Sequence, residues 1–125
     1  MKSIFNENSP RGHYTPGMIC QNTLYISGQT SADPATKQPA EGGFEAEMNM
    51  ALHKMESVLH AAGCDKNSVV MCKIYLSSME LWDRANQVYA AFFESHKPAR
   101  IVLPVGPLSN GCQVEIEAIA EIAHN

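Results

Sequence analysis

A chain of 125 residues, 45% apolar and 18% charged, can bury one core but not two comfortable ones, so residues 1–125 are read as a single domain. With 13 acidic against 9 basic residues and a formal net charge of -4, the sequence lacks the electrostatic footprint of a nucleic-acid binder. No apolar run has transmembrane length and "MKSIFNENSPRGHY" has no signal-type apolar core, so no membrane role is expected and the cytoplasm is the expected location.

In chain order, "MIC" and "LYIS" flank Gln21-Asn22 and predict a hairpin whose second strand ends at Gly28. The Pro- and Gly-rich "SADPATKQPAEGG" that follows reads as a surface loop. From Phe44 to Ala62 apolar residues recur at helical spacing, and Gly63 stands where a C-terminal cap glycine belongs. "SVVMCKIYL", 68–76, is β-branched and short, which predicts a strand. Ser77-Ser78-Met79-Glu80 offers a capping box for a second helix from Met79 to Ser95, with the stripe Leu81, Ala85, Val88, Tyr89 and Phe92, ended by Lys97-Pro98. "ARIVLPV" and "CQVEIEAIAEI" are the last two strands. The order β-β-α-β-α-β-β predicts an α+β, two-layer sandwich: a mixed sheet with two helices on one face.

In the last strand Val114, Ile116, Ala118, Ala120 and Ile122 share the core face, leaving Glu115 and Glu117 together on the other. Carboxylates placed there serve either a solvent- or subunit-facing ion-pair network or a site with a chemical task. Arg100 opens the preceding strand, and a hairpin-like pairing of the two would bring it towards Glu115. A guanidinium grips a carboxylate or phosphate through two parallel bonds, so a small anionic ligand and a plain Arg–Glu pair both fit.

These residues also carry a resemblance. "PAR" precedes the first glutamate of "VEIEAIA" by fifteen residues from its arginine, and the tyrosine of "HYTPG" precedes the serine of "SGQ" by thirteen. With "ANQVYAAFF" and "AAG", this pattern resembles the RidA (YjgF) family of enamine/imine deaminases over nearly the whole chain. The resemblance implies a chorismate-mutase-like trimeric fold, a homotrimer with ligand clefts between subunits. It implies hydrolysis of 2-enamino and 2-imino acids, such as 2-aminoacrylate, to 2-oxo acids and ammonia, with no metal and no cofactor. Carried over, Arg100 binds the substrate carboxylate and Glu115 positions or activates water. Tyr14, Ser27, Gly28 and Asn86 line the cleft, Val102 contributes its backbone, and Glu117 belongs to structure or interface. Ile101, where many members of the family carry Ser or Thr, and Pro16, in place of a glutamine, are departures that bear on substrate choice.

Two other function classes compete with the deaminase: a module that only binds a small carboxylate, and a ribonuclease or chaperone-like relative. Among lesser candidates, Cys112 is a lone thiol and His13 flanks Tyr14. His53 and His60 lack a third metal ligand, Trp82 and Tyr89 read as packing, and Met48, Met50, Met55 and Met71 read as core filler.

Overall fold

The structure, a computed structural model, describes residues 1–7, 10 and 12–123. Its elements are β1 (Lys2–Ile4), β2 (Gly17–Cys20), β3 (Thr23–Thr30), α1 (Phe44–Ala61), β4 (Val69–Leu76), α2 (Trp82–Phe93), β5 (Ala99–Pro104) and β6 (Val114–Glu121). The six strands form one sheet in the order β1-β2-β3-β6-β4-β5, antiparallel except for β4 and β5, which the α2 crossover makes parallel. The two-layer α+β sandwich expected from the sequence is the observed architecture.

Period-two burial explains the layers. Along β6 Val114, Ile116, Ala118 and Ala120 are buried, while Glu115, Glu117 and Ile119 face the other side. The buried face meets Phe44, Met48, Leu52, Met55 and Leu59 of α1 and Ala85, Tyr89 and Phe93 of α2. Met48 and Met55 are core as expected, but Met50 and Met71 are only half-buried, Met71 because it pairs with Ile119 on the uncovered face. That face also exposes Tyr25, Ile101 and Leu103, whose register partners Ile119, Lys73 and Tyr75 share it.

Four details differ from expectation. β1 was not predicted, being three residues long with only Ile4 buried. The helix α2 starts three residues late, behind a 3-10 turn at Met79–Leu81 whose N-cap is Ser78, its hydroxyl accepting from the Glu80 amide. It ends at Phe93, before Pro98 acts, because Glu94 adopts φ 58, a left-handed conformation that halts the helix. Finally, β5 and β6 are not neighbours, since β4 lies between them. The α1 terminus matches its signal closely: the Gly63 amide, at φ 81, donates to His60 O and that of Cys64 to Leu59 O, the paired bonds of a Schellman motif.

One buried acid fastens the layers. Glu47 of α1, 5% exposed, accepts from the Ser31 hydroxyl (2.8 Å), the Gln113 amide (2.9 Å) and the Gln113 side chain (2.6 Å). Glu47→Leu would strand these donors in the interior, and an expected loss of about 3 kcal/mol of stability can be read as a lower urea midpoint at constant m-value.

Candidate active site

Strand register separates the two charged residues singled out from the sequence. Arg100 pairs with Cys72, and Cys72 with Ala118, both buried against the helices, so the Arg100 side chain leaves the sheet on the helix side. Glu115 lies three residues from Ala118 and projects from the opposite face. The expectation that hairpin pairing would join Arg100 to Glu115 in one cleft of one chain is therefore corrected. Adjacency in sequence gave way to a crossover that inserted β4 between them.

The arginine half is built by α2. Trp82, Asn86 and Tyr89 are spaced four and three apart and so lie on one helix face. Asn86 Oδ1 accepts from Arg100 Nη1 at 2.8 Å, and the guanidinium carbon stands 5.5 Å from the Trp82 ring centroid and 4.9 Å from that of Tyr89. The stacking positions reduce the rotamer freedom of the guanidinium and leave hydrogen-bonding groups besides Nη1 for a ligand. Tyr89 is buried, and its hydroxyl has no hydrogen-bond partner among the described residues although the Cys72 thiol adjoins it. Burial pushes that thiol up to about 11, so Cys72 is an inert neighbour. Val102 lies two residues on, on the same face of edge strand β5, packed against the core.

The glutamate half is built by a bulge. Ile26 opposes Ala118 and Gln29 opposes Ile116, so Ser27 and Gly28 together face Glu117 alone. The bulge turns the Gly28 backbone onto the Glu115 carboxylate; a Cβ at position 28 would overlap Glu115 Oε2. Ser27 donates its hydroxyl to Thr15 O (2.6 Å) and its amide to Pro16 O (2.9 Å), fixing the loop that carries Tyr14. Tyr14, half exposed, and Gly28 both line a cavity of about 390 Å³ at the edge of β3 beyond the end of β2.

Burial, and then the Glu117 charge, push the Glu115 carboxyl above the ordinary range, against the opposing pull of the Lys54 ammonium. Glu117 itself accepts a hydrogen bond from the Tyr75 hydroxyl, which raises the Tyr75 phenol to about 12. The two carboxylates are thus differentiated by their surroundings: Glu117 is tied to a phenol, and Glu115 abuts the Gly28 backbone.

The residues expected at the site form two groups, Tyr14, Ser27, Gly28 and Glu115 in one, Arg100, Asn86 and Val102 in the other. Sequence reasoning missed Trp82 and Tyr89 as walls of the arginine, although their spacing around Asn86 was a usable signal. It also missed Tyr75 and Lys54. His13 is exposed beside Tyr14, Cys112 is 2% exposed and sealed from substrate, and His53 packs edge-on against Phe92 at 6.2 Å.

Known proteins share this arrangement of chain. A human protein named 2-iminobutanoate/2-iminopropanoate deaminase is 38% identical over 109 residues, 87% of this chain and 80% of that one. A RutC family protein of Pyrococcus horikoshii is 36% identical over 119 residues, 94% of each chain. The solved YjgF gene product of E. coli superposes with a TM-score of 0.88 at 29% identity, covering 97% of this chain and 98% of that one. The family model described as Endoribonuclease L-PSP matches residues 5–122. With the fold, the identity and nearly the full length in agreement, the chain belongs to the YjgF/RidA family.

Proposed function

We propose that this protein hydrolyses 2-imino acids and their 2-enamino tautomers, 2-aminoacrylate among them, to 2-oxo acids and ammonia, in homotrimers whose clefts join two copies. The observation that carries this reading is the placement of Arg100 and Glu115 on opposite faces of one sheet. A carboxylate grip without a base, and a base without a grip, make one hydrolytic site only when a second copy supplies the missing half. The uncovered sheet face, with Tyr25, Ile101 and Leu103 exposed beside the two glutamates, is the surface such a copy would cover. The human relative's name supports the chemistry.

In this reading Arg100, oriented by Asn86, Trp82 and Tyr89, holds the substrate C1 carboxylate and presents C2 to water. Glu115 accepts a proton as the water oxygen bonds to C2, and the imine nitrogen is protonated. The tetrahedral carbinolamine then breaks its C–N bond: the proton held by Glu115 passes to the nitrogen, which leaves as ammonia, and the hydroxyl proton is released to water as the C2–O bond becomes the carbonyl, replacing the proton that the imine nitrogen took from water. Gly28 keeps the Glu115 carboxylate where that transfer occurs.

Imines generated in situ by an amino acid oxidase provide the test, with ammonia release above the spontaneous rate as the readout. Acceleration is expected; its absence in folded protein would favour the binding module. An RNA-cleavage arm covers the activity in the family model's description, against which the acidic charge balance counts. Gly28→Ala should lower kcat about 10- to 100-fold by displacing the Glu115 carboxylate, with a circular dichroism spectrum like that of the wild type.

A further inference from the structure

Lys54 touches the chemistry just described only through the pull of its charge on Glu115. It rises from α1 past the free edge of β3, where its ammonium donates to Thr30 O (2.9 Å), Ala32 O (3.0 Å) and, more weakly, Thr30 Oγ1 (3.4 Å). Carbonyls need only a neutral donor. Yet the group there is a half-buried cation, its pKa lowered by burial; the Glu115 and Asp33 carboxylates act on it through their field, but among the described residues none lies within ion-pair distance. Burying a charge without a counter-ion in contact is costly, and a tether alone does not explain the choice of an ammonium.

The ammonium borders the cavity of about 390 Å³ that Tyr14 and Gly28 also line. A second cation, the exposed Lys37, stands at its rim, on a loop held by Asn110 Nδ2 donating to Lys37 O (2.8 Å) and by the Lys37 amide donating to Asp33 O (2.8 Å). Asp33 is the one acidic residue among the described residues of the lining, and its Oδ1 already accepts from the Ala35 amide. The cavity therefore carries two cations in the same lining as the Gly28 backbone that abuts Glu115.

We infer that this cavity is a side-chain subsite for an anionic group, with Lys54 as the specificity-determining residue and Lys37 in support, so that the preferred substrates are dicarboxylic 2-imino acids. This rests on the deaminase reading of the site. The C1 carboxylate would go to Arg100, C2 to Glu115, and the distal carboxylate into the cavity, where it completes the coordination of the half-buried ammonium.

Two measurements test it. The first compares turnover of imines made enzymatically from aspartate or glutamate with those from neutral amino acids of matched length. The second compares calorimetric binding of 2-oxoglutarate with that of 2-oxopentanoate, which needs no catalysis. A diacid preference of about tenfold in kcat/KM and in Kd is expected, lost in Lys54→Gln and partly restored in Lys54→Arg. Should Lys54→Gln fail to fold, Lys37→Gln carries the readout, with an expected reduction of the preference of about threefold. Turnover of neutral imines with no diacid preference, or equal losses for both substrate types in Lys54→Gln, would overturn the subsite and leave the deaminase standing. No turnover of any imine, with Lys54-dependent diacid binding intact, would retain the subsite and remove the deaminase. Neither turnover nor a binding preference would remove both.

Discussion

Glutamine at position 115 should leave 2-oxo acid binding in place while imine turnover falls by about 10²- to 10⁴-fold, the range for loss of a positioned acid–base group. Size and hydrogen-bonding reach are kept, and only the proton acceptor goes. The pH profile separates this from a steric effect. Burial and the Glu117 charge hold the Glu115 carboxyl above the ordinary range, so wild-type kcat/KM should fall as pH drops through that raised value. The Glu115→Gln profile should lack this acidic limb. Stability should move the other way. A carboxyl whose folded-state pKa is raised favours the fold below its unfolded pKa, and that contribution is lost as pH rises through the folded value. The glutamine variant should therefore melt higher than the wild type near neutral pH, with the gap closing towards acid. Full activity across the pH range in Glu115→Gln would end the case for a base at this position.

Arg100→Ala should lower kcat/KM by about 10²-fold or more, as expected when one partner of a desolvated charge pair is truncated. The more telling result comes from mixing it with Glu115→Gln. Each variant alone lacks one half of every site. Co-expressed at equal levels, the two should recover about one quarter of wild-type activity, because a cleft that draws its arginine from one copy and its glutamate from the next is intact in that share of random pairings. If every chain held a complete site, the mixture would be as inactive as its parts. Recovery, with assembly read from the sedimentation of the mixed and pure proteins, would place the catalytic pair across a subunit boundary.

The layers were legible in the sequence because burial follows the strand period: Val114, Ile116, Ala118 and Ala120 announce a core face that few other conformations would satisfy. Strand order was not, because pairing of β6 with β3 and β4 is long-range and leaves no local mark. The hairpin presumed for β5 and β6 relied on proximity in sequence alone. Helix ends were legible where glycine supplied the left-handed residue, as at Gly63, and misread where Glu94 adopted that geometry without the usual residue type. For the site, the family pattern supplied residue names, whereas the supporting shell was hidden. Trp82 and Tyr89 read as packing because aromatic residues at helical spacing ordinarily are, and Lys54 read as nothing because a lysine on a helix is commonplace.

The Glu47 clasp bears on how this protein can move. Gln113, which it holds by the amide, lies two residues before Glu115; Ser31, which it holds by the hydroxyl, follows Thr30, the register partner of Glu115. A fluctuation that lifts α1 from the sheet there must therefore break bonds to the approach of the strand that carries Glu115 and to the end of its neighbour β3. Local opening of α1 at Glu47 is thereby coupled to release of the backbone on either side of the Thr30–Glu115 register pair, so the helix and that end of the sheet open as one unit.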